Sequence, residues 1–151
     1  MGSMTNRVSS MGITPALEDY LEAILILKER TGTARVKDVA AFLEVRAPSV
    51  IDALGHLKRK KYVLQKPYGT IDLTAKGWAC ARDIYARHKD LKKFFSLIVG
   101  LQEGMAEAEA CKIEHYLDRE TIKKMLRFTN DYIASRQEIP ATKNEIKTYT
   151  A

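Results

Sequence analysis

The amino-acid sequence predicts a mainly α-helical protein with one short β-hairpin. Apolar residues recur at helical spacing over most of the chain. Two short helical patterns separated by a tight turn are followed by two short strand patterns around a Pro/Gly turn. Beyond that turn the patterns are again helical. We therefore expect an N-terminal winged helix-turn-helix domain followed by a helical dimerisation domain.

The first helix is predicted to begin at Thr14–Pro15 and to end near Thr31–Gly32. Threonine is a favourable N-cap, and proline fits the first helical position because its missing N–H costs nothing there. Acidic residues in the first two turns, Glu18, Asp19 and Glu22, suit the positive end of the helix dipole, so a structural role would explain them. Asp19 and Glu22 are also i, i+3 neighbours and so share one face.

Residues 34–45 and 46–61 predict the two helices of a helix-turn-helix, the second being the recognition helix. The strands at 62–66 and 71–74 would form the wing, which reaches the DNA backbone or minor groove. Residues 30–93 contain 15 Lys and Arg against 6 Asp and Glu, whereas the rest contains 10 against 13. This basic region indicates binding to a polyanion. Its candidate phosphate contacts are Lys37, Lys58, Arg59, Lys60 and Lys66.

The second half is predicted to contain helices near 74–93, 102–117 and 119–136. Between the first two lies an apolar stretch, 94–101, which is too short to span a bilayer and is better explained as core or subunit contact. With the apolar face of 119–136, it exceeds what a small monomer needs to cover, so we expect a homodimer. We divide the chain into a tag and flexible arm (1–13), a DNA-binding domain (14–75), a metal-binding and dimerisation domain (76–140) and a loose tail (141–151).

A possible metal site is indicated by Cys111, Glu114 and His115, at relative positions 0, 3 and 4. On a helix, these three share one face and could supply half of a coordination shell to a first-row divalent metal. The remaining ligands would come from elsewhere. The alternative is a solvated charged face with one buried cysteine.

The sequence resembles the diphtheria-toxin-repressor family of metal-dependent regulators over roughly residues 14–135. The resemblance rests on Thr14–Glu22, the helix-turn-helix, Leu73–Gly77, Arg87–His88 and Cys111–His115. It implies that bound Fe²⁺ or Mn²⁺ ties the first helix to a helical dimerisation domain. The architecture is similar to the short, manganese-responsive branch, which lacks a third domain.

The resemblance also implies the site residues. The metal ligands would be Asp19, Glu22, His88, Cys111, Glu114 and His115. Cys111 is the exception, because the manganese branch has a bridging glutamate there and the iron branch has cysteine. At the ancillary metal position of the iron branch, Lys92 and Glu107 replace a glutamate and a histidine. The base contacts would come from Arg46, Pro48, Ser49, Ile51 and Asp52.

These features favour a cytoplasmic, homodimeric regulator that binds a double-stranded DNA operator in response to Mn²⁺ or Fe²⁺, with Co²⁺ or Zn²⁺ acting in vitro. We expect a repressor of metal-uptake genes that is not an enzyme and has no membrane contact and no small organic ligand. One alternative is a winged-helix regulator of the multiple-antibiotic-resistance type, which senses an organic ligand. Another is a zinc hydrolase, although the chain has no His-Glu-x-x-His pattern.

Overall fold

The computed structural model describes residues 12–65 and 69–137. Its elements are α1 (Pro15–Thr31), β1 (Ala34–Arg35), α2 (Val36–Phe42), α3 (Ala47–Arg59), β2 (Val63–Gln65), β3 (Thr70–Leu73), α4 (Ala75–Phe94), a π-helical turn (Phe95–Val99), α5 (Glu103–Ile113) and α6 (Arg119–Gln137). The predicted mainly helical architecture is confirmed. Residues 1–11 of the predicted arm, the tail 141–151 and the phosphate candidate Lys66 lie outside the described residues. Among the described helices, none combines the length and apolar character needed to cross a bilayer.

Helix α1 begins and ends where the sequence predicts. The Thr14 side chain accepts a hydrogen bond from the backbone N–H of Leu17, and Pro15 occupies the first turn. At the other end, Gly32 adopts the left-handed conformation, with φ of 75°, and its N–H donates to the carbonyl of Lys28. These caps fix the register of α1, and therefore which of its acidic residues face the second half of the chain.

The winged helix-turn-helix contains a strand that the sequence analysis missed. The sequence predicts that a helix begins at residue 34, but residues 34–35 form the strand β1 instead. This strand pairs with β3 through Ala34 and Ile71. The three strands are antiparallel, in the order β1-β3-β2. Helix α3 packs Val50, Leu54 and Leu57 against this sheet and α1, within one apolar core.

Helix α4 meets the base of the wing at Gly77. The Thr74 side chain caps the helix by accepting from the Gly77 N–H, and it donates to the backbone carbonyl of Lys61. A Cβ at position 77 would lie 2.0 Å from the carbonyl oxygen of Tyr62. Only glycine permits this approach, so α4 is fastened directly to β2.

A second, smaller core forms where α4, α5 and α6 pack together. Leu91, Ala110 and Ile122 are buried there, one from each helix. Helix α5 is shorter than predicted, since it ends at Ile113 rather than near Leu117. The chain continues as a turn over residues 114–116, in which the backbone N–H of Leu117 still donates to the carbonyl of Ile113.

Candidate metal centre and DNA-binding surface

Five predicted metal ligands converge where α1, α4 and the end of α5 meet. Two groups of side chains each bring their potential ligand atoms within 4.8 Å of one another. One group is Asp19, Glu114 and His115, and the other is Glu22, His88 and Glu114. Glu114 belongs to both groups, so they form one continuous cluster.

Most of this cluster is removed from solvent. Glu114 is 0% exposed, and Glu22 and His88 are 9% and 6% exposed. Burying carboxylates is unfavourable unless cations or hydrogen-bond donors accompany them. In the metal-free protein, the two imidazoles fill that role.

Each imidazole places its two ring nitrogens against different carboxylates. His115 Nε2 lies 2.7 Å from Asp19 Oδ1 and 3.2 Å from Glu114 Oε1, while its Nδ1 lies 2.6 Å from Glu18 Oε2. His88 Nδ1 lies 2.8 Å from Glu114 Oε2, and its Nε2 lies 2.9 Å from Glu107 Oε1. In both rings, therefore, one nitrogen faces the cluster and the other faces an outer carboxylate.

The pKa values show how strongly the cluster favours bound cations. Burial alone would lower the pKa of both histidines, but the carboxylates outweigh it. The carboxylates of Asp19, Glu114 and Glu18, which lie against its ring nitrogens, raise the pKa of His115 to about 12. The hydrogen bond and charge of Glu114 raise the pKa of His88 to about 9.

The two buried glutamates respond differently. Burial, followed by the charge of Glu114, raises the pKa of Glu22 to about 7. Burial would also raise the pKa of Glu114, but the adjacent imidazoles of His115 and His88 lower it. Glu114 is thus the anionic centre of the cluster. The charged form of Glu22 is disfavoured beside it, and a further cation would remove this repulsion.

A divalent cation fits this donor set. Within the described residues, Glu114 Oε1 is a buried oxygen without a hydrogen bond, although a histidine nitrogen lies 3.2 Å away. Three carboxylates and two imidazoles provide oxygen and nitrogen donors, which suit Mn²⁺, Fe²⁺ and Zn²⁺. The cluster also has an entry path, because it lies on a cavity of about 1060 Å³ lined by Asp19, Glu22, His88 and His115.

Cys111 lines the same cavity but belongs to neither group of potential ligands. Its side chain is exposed, on the last turn of α5 before the helix ends. Burial, followed by the charges of Glu114, Asp19 and Glu22, raises the pKa of its thiol. Its predicted role as a ligand stays a prediction.

The sequence analysis did not assign Glu18 and Arg87 to the site. Glu18 is 0% exposed and contacts His115, and Arg87 donates to Glu18 and to the backbone carbonyl of Glu114. A sequence signal was present, because Glu18 lies on the same helical stripe as the buried residues Leu21 and Leu25. A carboxylate on an apolar stripe needs a buried partner.

Lys92 occupies the outer end of the cavity. Its Nζ lies 2.8 Å from Glu107 Oε2 and 3.2 Å from Glu103 Oε1. Since Glu107 also contacts His88 Nε2, the ammonium group lies one carboxylate away from the metal cluster. At the position that the resemblance aligns with the ancillary metal of the iron branch, this structure therefore has a lysine cation.

The predicted DNA-contacting residues lie on one exposed region. Arg46, Pro48, Ser49, Ile51 and Asp52 are exposed on the first turns of α3, and Ile51 is 60% exposed. Lys58, Arg59 and Lys60 are exposed at its C-terminal end, and Lys37 is exposed on α2. Asp52 lies near His56, which also contacts Arg59. The exposed side chains of α3 are therefore placed where they could contact a DNA groove.

Comparisons with known proteins agree with this geometry. Residues 12–71 match the model of the iron dependent repressor N-terminal DNA binding domain, and residues 74–136 match that of the iron dependent repressor metal binding and dimerisation domain. An uncharacterized HTH-type transcriptional regulator from Methanocaldococcus jannaschii is 35% identical over 121 residues, covering 80% of this chain and 97% of that protein. The HTH-type transcriptional regulator MntR of Bacillus subtilis is 32% identical over 134 residues, covering 89% and 91%.

The solved structure of the manganese regulator SloR is also similar, with a TM-score of 0.69 and 28% sequence identity. The match covers 78% of this chain and 55% of that one, so the chain spans about half the length of that protein. Matches in both halves select the metal-dependent family over a winged-helix regulator of organic ligands and over a hydrolase. The resemblance inferred from the sequence is confirmed: the chain belongs to the iron-dependent repressor family of metal-responsive, DNA-binding transcriptional regulators.

Proposed function

We propose that this protein is a Mn²⁺- or Fe²⁺-activated repressor of metal-uptake genes, and that it binds its operator in the cytoplasm as a homodimer. The observation that carries the proposal is the origin of the ligands. Asp19 and Glu22 lie on α1, within the DNA-binding match, whereas His88, Glu114 and His115 lie within the metal-binding match. A site built from both halves makes their relative placement depend on the metal.

The ligands we assign are Asp19, Glu22, His88, Cys111, Glu114 and His115. A bound divalent cation supplies positive charge in place of the protons that the imidazoles otherwise carry. The carboxylates of α1 then share a partner with Glu114, which restricts the motion of α1 relative to α4 and α5. Less free motion lowers the entropic cost of placing two recognition helices on one operator.

The dimer provides those two recognition helices. Exposed apolar side chains support an interface in the second half of the chain: Leu97, Val99 and Phe128 are 48%, 52% and 56% exposed. These residues lie on the π-helical turn and α6, away from α3. An isologous interface there would leave both DNA-binding surfaces free.

On DNA, the exposed start of α3 is the part that we assign to base edges, through Arg46, Pro48, Ser49, Ile51 and Asp52. The basic side chains at its end and on α2 are assigned to phosphates: Lys37, Lys58, Arg59 and Lys60, together with Lys66. Phosphate contacts release counterions, so operator affinity should fall steeply with salt. No membrane contact and no small organic ligand are part of this proposal.

The choice of Mn²⁺ and Fe²⁺ rests on the donors and on relatives. The oxygen-rich set of Asp19, Glu22 and Glu114 suits Mn²⁺, and the two imidazoles suit Fe²⁺. A manganese regulator is among the structural neighbours above 25% identity. Co²⁺ and Zn²⁺ should also bind in vitro, because the same donors accept them.

The test is metal dependence of operator binding. A duplex selected from a random pool in the presence of Mn²⁺ is titrated with metal-free and Mn²⁺-loaded protein, using fluorescence anisotropy. We expect Mn²⁺ to raise the affinity by roughly 5- to 150-fold, the usual range of allosteric coupling. Glu22→Gln should remove most of this gain, whereas Glu29→Gln, an exposed carboxylate on the same helix, should keep it. Equal affinity with Mn²⁺ and with a chelator would refute the proposal.

A further inference from the structure

The inference concerns Glu18, the neighbour of the predicted ligand Asp19. Its side chain is fully buried, and its Oε2 lies 2.6 Å from His115 Nδ1 and 3.1 Å from Arg87 Nη2. Neither group of potential metal ligands includes it. Glu18 contacts the ring of His115 on the side away from the other members of that ligand group.

The two nitrogens of His115 have distinct surroundings. Nε2 faces Asp19 Oδ1 and Glu114 Oε1, the other members of its ligand group, whereas Nδ1 faces Glu18. A neutral imidazole carries one proton, so one nitrogen donates and the other can bind a metal. A carboxylate on Nδ1 keeps the proton there and leaves the Nε2 lone pair for the cluster.

Arg87 holds Glu18 in this position. Its Nη2 donates to Glu18, its Nη1 donates to the backbone carbonyl of Glu114 at 2.9 Å, and its Nε lies 3.4 Å from Asp83 Oδ2. The guanidinium cannot lose its charge in a protein. The same side chain thus ties the Glu18 carboxylate to the backbone that carries Glu114 and His115.

We propose that Glu18 is the positioning residue of the metal centre: held by Arg87, it accepts the Nδ1–H of His115 and so directs Nε2 to the metal. This inference rests on the proposed metal site. Outer carboxylates of this kind fix both the tautomer and the ring orientation of a metal-binding histidine. Glu18 belongs to the DNA-binding match, and His115 belongs to the metal-binding match. A residue of the first half therefore orients a metal ligand of the second half.

The direct test is the tautomer of His115 in the full-length protein loaded with Zn²⁺, which is diamagnetic. Long-range ¹H–¹⁵N NMR of histidine-labelled protein distinguishes metal-bound, protonated and free ring nitrogens. The chain has only three histidines, and the His115 signals are assigned by their loss in His115→Gln. We expect Zn²⁺ on Nε2 and a proton on Nδ1.

Two other results are decisive in the opposite direction. Zn²⁺ on Nδ1 of His115 would overturn the positioning role of Glu18 while leaving the metal site in place. His115 signals that do not change on addition of Zn²⁺ would show that the histidine is no ligand, and would overturn the metal site as well. The two failures are therefore distinguishable.

A substitution provides the second measurement. Glu18→Gln keeps the size of the side chain but removes the charge, and we expect it to weaken Zn²⁺ binding by roughly 10- to 100-fold, as for other outer-shell partners. Glu29→Gln is the matched control, because Glu29 is an exposed carboxylate on the same helix, and it should change affinity by no more than about twofold. Equal affinity of Glu18→Gln and wild-type protein, with both folded by circular dichroism, would overturn the proposal. If Glu18→Gln fails to fold, the NMR result alone decides.

Discussion

The metal cluster has two ends, one at His115 and one at His88, which share the same arrangement of contacts but differ in the residues that make them. At each end, one histidine nitrogen faces the cluster and the other contacts an outer carboxylate that is held by a basic side chain. At the His115 end, the outer pair is Glu18 and Arg87, with side chains 0% and 10% exposed. At the His88 end it is Glu107 and Lys92, 52% and 30% exposed.

This difference in burial determines how much each outer pair contributes. An exposed ion pair is screened by water and is held by flexible side chains, so it contributes little. A buried pair leaves an uncompensated charge if one partner is lost, and that is expensive. We therefore expect the His115 end to be preorganised and the His88 end to adapt.

Glu114 belongs to both groups of potential ligands, so its replacement should weaken metal binding at the His115 end and the His88 end alike. Glu114→Gln takes an anionic ligand from both groups at once, and we expect Mn²⁺ affinity to fall by more than about 100-fold, beyond the range for outer-shell residues. The metal-free protein should also lose on the order of 3–5 kcal/mol, because two imidazolium groups lose their central counter-ion. Calorimetric titration and urea unfolding measure the two effects. A loss confined to one ion in a protein that binds two would show that the groups are independent.

Metal binding should depend strongly on pH, since the cation displaces protons from both ends. The pKa values of about 12 and about 9 mean that His115 and His88 are both protonated at neutral pH. Protons compete with the metal, so affinity rises with pH, by about tenfold per unit for each proton displaced. Near pH 7 the two imidazoles release two protons and the part-protonated Glu22 adds a fraction of a third, so the count should fall towards one as the pH passes the pKa values of Glu22 and His88.

The released protons are counted by Mn²⁺ titration calorimetry in buffers of different ionisation enthalpy. Release of fewer than two protons near neutral pH would contradict the protonation of both imidazoles. His88→Gln serves as the comparison, because it removes one imidazole proton and should lower the count by about one.

The basic partners of the two ends should differ in their effect on folding. Arg87→Met leaves Glu18 buried beside a neutral side chain, and should cost on the order of 3–5 kcal/mol in the free energy of unfolding. Lys92→Met removes the partner of the exposed carboxylates of Glu103 and Glu107, and should cost about 0–1 kcal/mol. Urea unfolding of both metal-free variants measures this, and equal costs would remove the distinction between the ends.

The number of bound ions tests whether Lys92 occupies a cation position. Lys92→Glu would place a carboxylate beside Glu103 and Glu107, near His88 Nε2, where the ammonium group now lies. We expect one more Mn²⁺ per protomer than in wild type, measured by elemental analysis after gel filtration. Lys123→Glu, on an exposed position of α6, is the charge-matched control and should add none.

Cys111 should have the smallest effect, since its thiol is exposed and outside both ligand groups. If it joins the site when metal binds, Co²⁺-loaded protein shows thiolate charge-transfer absorption that Cys111→Glu abolishes, and that variant binds Mn²⁺ more tightly. Absence of the absorption in wild-type protein would mean that the ligands are oxygen and imidazole alone.

Local signals predicted the helices well, because their causes are local. Thr14, Pro15 and Gly32 define the ends of α1 through caps that lie within a few residues. Strand β1 was missed because its two residues are stabilised by pairing with β3, 35 residues further along the chain, which no local pattern reveals.

The site shows the same division. The positions of Asp19, Glu22, His88, Glu114 and His115 follow from a recognisable arrangement of motifs. The role of Glu18 is harder to predict from the sequence. Adjacent residues of a helix point about 100° apart, and the sequence around Glu18 and Asp19 does not show which of the two faces the protein interior. The buried stripe through Leu21 and Leu25 resolves the direction, but its partner Arg87 lies 69 residues away.

The close approach at Gly77 has a thermodynamic consequence. One continuous helix, α4, touches Tyr62 of the wing through Gly77 and carries His88 eleven residues after Gly77, so the operator and the metal act on the same rigid helix. Under the proposed function, linkage requires the coupling to be reciprocal: whatever factor metal adds to operator affinity, the operator adds to metal affinity. Protein on DNA would then retain its metal at concentrations that strip protein free in solution, and repression would outlast a brief fall in metal supply.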